Sequence, residues 1–230
     1  MRVTLTFDNG PDPSGTPAVL EALAERNIPA VFFVIGRKVR AHPELVARTI
    51  AAGHVIGNHT WSHSVPLGDA VEAGFARAEI VRTQGAIQDA AATSYLFRPV
   101  GAEPGAVIDQ HLLSEEALEA LIEGAFTMVL WNVVPRDWER PNDWIDGAVD
   151  ACREQGHSVV VLHDGHPVGM RLLPQFLDAL IDAGAEFRTD FPRSCTPIVN
   201  GVPGPETAAL VTARSLEHID PESFGLKEQS

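Results

Sequence analysis

The sequence predicts an α/β protein built on parallel strands. Two observations carry that prediction. Short apolar runs of the buried-strand type alternate with amphipathic stretches along most of the 230 residues, and strand, helix, strand repeated in this way implies parallel neighbours joined by right-handed crossovers. His, Asp and Arg residues then fall just past the carboxyl ends of those apolar runs, where parallel α/β architectures assemble their active sites. Six or seven such units either close into a barrel or stay open as a doubly wound sheet, and periodicity alone does not choose between them.

In chain order, strands are expected at Val3–Phe7, Ala30–Ile35, Val55–Asn58, Tyr95–Arg98, Thr127–Asn132, Ser158–His163 and Ala185–Arg188. Apolar residues spaced three and four apart predict helices at Thr16–Arg26, Glu44–Ala52, Asp69–Ala92, Glu115–Glu123, Trp144–Gln155 and Leu172–Ala183. Gly53, Gly156 and Gly184 stand where helix stops belong. Glu103 to Ser114 is a Pro- and Gly-punctuated insert, long for a loop and suited to shaping a cleft. The alternation fades after Cys195. Residues 1–195 are therefore read as the catalytic domain and 196–230 as a C-terminal extension with a short helix at Glu206 to Leu216.

Composition narrows the partners. A hydrophobic fraction of 45% suffices for a sizeable core, and a net charge of −14 repels nucleic-acid phosphates and anionic lipid surfaces. Cys152 and Cys195 are too few for a disulfide framework, which suggests reduced thiols. Met1 leads straight into the first strand, and no apolar run approaches the ~18 residues of a membrane span. The reading is a soluble, cytoplasmic protein with no nucleic-acid or membrane partner.

Five fragments carry chemistry. Thr6-Phe7-Asp8-Asn9-Gly10-Pro11 ends a strand in a carboxylate and a turn, which suits a general base and suits an Asx turn equally. Asn58-His59-Thr60-Trp61-Ser62-His63 sets two imidazoles four residues apart, which on a helical turn would face one divalent metal. Phe97-Arg98-Pro99-Val100-Gly101 offers a guanidinium that needs a carboxylate such as Asp8. Arg136-Asp137-Trp138 and Leu162-His163-Asp164-Gly165 offer a carboxylate and imidazole that can pair, raising the imidazole pKa. Apart from the first, each fragment singly is more often structural than catalytic. Five in order on one predicted rim make the case.

In order, TFDNG, HTWSH, FRPVG, RDW and LHDG resemble the five motifs of the NodB-like polysaccharide deacetylases, carbohydrate esterase family 4. The resemblance runs from about Val3 to Gly165. It implies a distorted (β/α) barrel and an amidohydrolase that removes N-acetyl groups from amino sugars. It further implies Asp8 as base, Arg98 as the residue orienting it, His163 as acid and Asp137 as the partner of the acid. His59, His63 and the residue at position 9 become ligands of a divalent metal, Zn²⁺ in that pattern, while Trp138, Val161 and Leu162 line the acyl pocket. Asn9 departs from the usual aspartate, and an amide oxygen is a neutral, weaker ligand than a carboxylate. Asn9 coordinates, or a water replaces it, or the reaction runs without metal as in a cyclic amide or ureide hydrolase. A catalytically silent carbohydrate-binding protein is the reading from another class. Retention of Asp8, Arg98, Asp137 and His163 speaks against it.

Overall fold

The computed structural model describes residues 1–101 and 112–212. Its centre is β1 (Arg2–Gly10), nine residues of which all but Arg2 and Asn9 are buried. β1 pairs in parallel with β2 (Val31–Val34) and with β6 (His157–His163). The sheet continues outward through β3 (Val55–Asn58), β4 (Leu96–Phe97) and β5 (Thr127–Met128), all parallel. β7 (Glu186–Arg188) pairs with Arg2–Thr4, so it shares one edge of β1 with β2, which takes the stretch from Thr6 onward. Beyond β5 the chain bridges back to β6 through Val133 and Val160. That bridge curls the sheet round on itself, and the result is the distorted barrel rather than an open sheet.

Alternation along β1 sorts the core. Val3, Leu5 and Phe7 point outward into a layer shared with helices α1 (Thr16–Ala24), α6 (Ile145–Glu154) and α8 (Leu173–Asp182), where Leu23, Val149, Phe176 and Leu177 pack. Thr4, Thr6 and Asp8 take the opposite face. Val31, Phe33, Val129 and Val159 form a separate small cluster with Cys195. A third cluster lies under α4 (Phe75–Asp89) and α5 (Glu115–Glu123), with Phe97, Phe126 and Met128 at its heart. Cys152 and Cys195 are both buried free thiols.

Several boundaries differ from expectation. The helix expected from Asp69 begins at Phe75, because Gly74 before it is left-handed at φ 83° and breaks the pattern. Residues 36–41 form an unexpected short helix, α2 (Gly36–Ala41), running straight into α3 (Pro43–Ala51). Another short helix, α7 (Pro167–Met170), follows β6. Gly53 and Gly184 close their helices with φ of 84° and 75°, whereas Gly156 lies one residue past the extended Gln155 cap and leads into β6. Past residue 195, β8 (Ile198–Val199) adds antiparallel to β5 and turns into β9 (Val202–Pro203). The expected helix at Glu206–Leu216 is a 3₁₀ turn over Pro205–Leu210, and its remainder lies outside the described residues. Most of the Glu103–Ser114 insert lies outside them too; Ser114 caps α5 by accepting the Ala117 N–H. Among the described residues no helix is long and apolar enough to cross a membrane.

Candidate active site

The parallel register places Asp8 directly beside His163 at the carboxyl ends of β1 and β6. Each is gripped by a different partner. Arg98, which follows β4 and is fully buried, sends Nη1 to Asp8 Oδ1 at 2.9 Å and to Thr6 Oγ1 at 2.6 Å. Its remaining N–H groups reach the carbonyls of Val129 and Leu130, both at 3.3 Å, and the guanidinium lies over the Phe33 ring at 4.1 Å. Burial by itself would raise the Asp8 carboxyl. Arg98, by its charge and its hydrogen bond, together with the charge of His163, outweighs it and holds Asp8 below the ordinary carboxylate range.

His163 is pulled the other way. Burial favours its neutral form, but Asp137 and its negative charge prevail and raise the imidazole above its usual pKa. Asp137 is itself fully buried, on a loop that Arg136 enters at a left-handed φ of 59°. That loop is pressed against Gly169, where any Cβ would collide with the Asp137 carbonyl oxygen. The Trp138 ring stands edge-on to His163, centroids 4.5 Å apart. Two residues before His163 on the same face of β6, Val161 is nearly covered, as a pocket floor would be. Leu162 does not fit the expectation. It points to the opposite face, fully buried in the helix-facing layer with Phe7, and cannot touch a substrate.

His59 follows β3, its backbone N–H bonded to the Val34 carbonyl. The His59–His63 segment is an irregular loop rather than a helical turn, bent by left-handed backbone at Thr60 and His63. The two rings nevertheless meet, centroids 4.8 Å apart. His59 Nδ1 donates to the Arg98 carbonyl at 2.9 Å, which leaves Nε2 as the lone-pair nitrogen, 3.7 Å from Asp8 Oδ2. Burial lowers both imidazoles, His59 to about 4, which favours the neutral form that metal ligation requires. Asn9 adopts a left-handed φ of 73°, and its Oδ1 is buried with no hydrogen-bond partner. Among the described residues no three His, Cys, Asp or Glu side chains converge on a metal position. The donors at hand are the two neighbouring imidazoles and, one residue after Asp8 on β1, the orphaned amide oxygen of Asn9, which would give a divalent cation one charge fewer than a carboxylate there.

Two points lie beyond the reach of the motifs. Thr6 shares the face of Asp8 two residues earlier and steadies Arg98, a role to which strand alternation alone points. The Arg98 backbone N–H is likewise committed, donating to the Asn58 carbonyl at 2.9 Å.

The barrel and this rim set a buried carboxylate beside an imidazole at the carboxyl ends of parallel strands. The chain belongs to the polysaccharide deacetylase family, whose model matches residues 1–117. It is 35% identical over 191 residues to a chitooligosaccharide deacetylase of Sinorhizobium fredii, covering 81% of this chain and 78% of that one. It is 32% identical over 188 residues to the peptidoglycan-N-acetylglucosamine deacetylase PgdA of Listeria monocytogenes, covering 82% of this chain and 38% of that longer protein. The family 4 carbohydrate esterase from Streptomyces lividans, solved with acetate, superposes with a TM-score of 0.69 at 27% identity, over 86% of this chain and 97% of that one. Members act on carbon–nitrogen bonds other than peptide bonds.

Proposed function

We propose that the protein hydrolyses the N-acetyl group of an N-acetylated amino sugar or short oligosaccharide, with Asp8 as base and His163 as acid. The observation that carries this reading is their register pairing on β1 and β6 with opposed pKa shifts. Two titratable groups pushed apart by different neighbours are the arrangement that acid–base hydrolysis needs near neutrality. Asp8, kept ionised by Arg98, takes a proton from the attacking water, a contribution of about 10² to 10⁴ in rate. His163, kept protonated by Asp137, delivers a proton to the leaving amine. Trp138 and Val161 bound the space for the acetyl methyl. His59, His63 and Asn9 would hold a divalent metal, Zn²⁺ in our reading, and such an ion supplies polarisation of the amide carbonyl when bound.

The test is acetate release from triacetylchitotriose by the purified protein, with Asp8→Asn and His163→Ala as controls. Release that survives both substitutions would sink the assignment. The orphaned oxygen of Asn9 keeps a metal-free amide hydrolase as the second reading, and indifference of turnover to exhaustive chelation would favour it.

A further inference from the structure

A cavity of about 410 Å³ opens between α2 and α4, lined by Val39, Arg40, Trp61, Arg82, Gly85 and Asp89 among others. Trp61 is firmly set. Its carbonyl accepts the Arg37 N–H at 3.1 Å, and its ring fills the space that a side chain at Gly36 would need, a Cβ there lying 2.5 Å from Cε3. Two guanidinium carbons lie over that ring, Arg82 at 4.2 Å and Arg40 at 5.5 Å from the centroid.

On α4, Arg77 pairs with Glu123 at 2.6 Å, while Arg82 makes no ion pair or hydrogen bond among the described residues. On α2, Lys38 pairs with Asp12 at 3.1 Å, while Arg40 likewise makes none. Asp89 shares the cavity without pairing with either arginine. In a protein of net charge −14, two guanidinium groups gathered on one indole, with Asp89 as the one carboxylate in the lining, leave the cavity with a net positive side-chain charge. Trp61 is two residues from both His59 and His63, within about 7 Å of chain, so one wall of the cavity is built by the loop that carries those imidazoles.

We infer that this cavity is a subsite for an oxyanion, carboxylate or phosphate, carried by the saccharide substrate. The inference rests on the deacetylase reading above for the identity of the carrier. Arg40 and Arg82 grip the anionic group through charge-assisted hydrogen bonds, while the N-acetyl group of the same molecule reaches the Asp8–His163 rim. The substrate is then an acidic saccharide in preference to a neutral one.

Calorimetry compares triacetylchitotriose with the same trisaccharide oxidised at its reducing end to the aldonic acid, in wild type, Arg40→Gln and Arg82→Gln. The acid should bind about tenfold more tightly in wild type, with the preference shrinking in high salt and vanishing in either variant. Binding and turnover of the neutral trisaccharide should stay unchanged. In parallel, inorganic phosphate should move the indole Nε1–H resonance of Trp61, assigned through Trp61→Phe, in wild type and in neither arginine variant. Equal affinity for acid and neutral sugar, or a Trp61 resonance indifferent to phosphate, overturns the site. So does a fall in melting temperature of the variants with no change in anion response, since the arginines would then only clamp α2 to α4. If phosphate moves Trp61 but no saccharide binds or turns over, the deacetylase reading falls, and the saccharide as carrier with it, while the oxyanion site stands.

Discussion

Asp137 holds His163 by two bonds at once. Its Oδ1 accepts from the imidazole Nδ1 at 2.9 Å, and its Oδ2 accepts the His163 backbone N–H at 3.1 Å. The grip fixes the ring, selects the tautomer and stabilises the imidazolium. His163→Ala should therefore lower kcat by about 10² or more. Asp137→Asn should cost less at low pH, because an amide oxygen can still hold Nδ1–H. Without the carboxylate charge the His163 pKa falls, and the acid form is lost at lower pH. The alkaline limb of the kcat/KM profile should shift downward in Asp137→Asn, and an unmoved limb would show that His163 is not the acid.

Asp8 is half of a buried ion pair, which makes it a structural residue as well as a chemical one. Asp8→Asn is nearly isosteric, but it leaves the Arg98 guanidinium fully buried among neutral partners. Removing one member of such a pair typically costs about 3 to 5 kcal/mol. Asp8→Asn should thus lose activity and a comparable share of stability in denaturant titration. Thr6→Val removes one neutral bond to Arg98 and should cost about 1 to 2 kcal/mol, with kcat falling less than tenfold. Equal stability losses in the two variants would contradict the ion pair as the dominant contact.

That double role of Asp8 marks what sequence reading can reach. The ends of β3 and α5 are legible to the residue, since Gly53 closes the preceding helix just ahead of Val55 and Ile56, the His59 motif follows Asn58, and Ser114 supplies an N-cap. Asp8, Arg98 and His163 are legible because a charged residue at the end of a buried apolar strand is costly to bury without a partner, so it points to a rim where such partners meet, and Asp137, on a loop, is legible only as a carboxylate that can pair with His163. Leu162 is misread because motif adjacency to His163 says nothing of facing, whereas strand alternation sends neighbours to opposite sides. The two-residue strands β8 and β9 carry no periodicity to read, and α2 is too short to show an amphipathic face. The Arg40–Trp61–Arg82 grouping joins three separate segments, and only the packing of α2 against α4 brings them together.

Asp164 gives a pH signature. It is fully buried; Oδ2 accepts the Thr16 hydroxyl at 2.5 Å, and Oδ1 has no partner. Burial pushes its carboxyl from 3.8 up to about 7, against the Thr16 bond and Lys38 and with help from Asp12 and Asp8. A raised carboxyl pKa means that the folded chain holds its proton more tightly than the unfolded one. Its contribution to stability therefore declines as pH rises from about 4 to about 7, by up to about 4 kcal/mol. Asp164→Asn lacks that titration and retains an oxygen for Thr16. The stability of wild type relative to Asp164→Asn should fall across this interval in urea titrations at matched ionic strength. A difference constant from pH 4 to pH 8 would place the proton elsewhere.

Asn9 is where the proposed metal site is tested. Its orphaned Oδ1 lies next to Asp8 in sequence, at the end of a strand whose β6 neighbour carries His163 and, one residue on, Asp164. Asn9→Asp would add a carboxylate ligand to the His59 and His63 pair, and direct titration with Zn²⁺ should show affinity rising tenfold or more. In the metal-free state the same carboxylate would be repelled by Asp8 and Asp164, so metal-free Asn9→Asp should melt below wild type. Added Zn²⁺ should more than restore the loss, since a ligand bound only by the folded state stabilises it in proportion to RT ln(1 + [L]/Kd). Wild type should show a smaller metal-dependent rise, removed by His59→Ala. If wild type and Asn9→Asp bind Zn²⁺ alike, position 9 is no ligand. If neither binds at all, the two imidazoles serve Asp8 and Arg98 alone, and the hydrolysis depends on Asp8 and His163 without a cation.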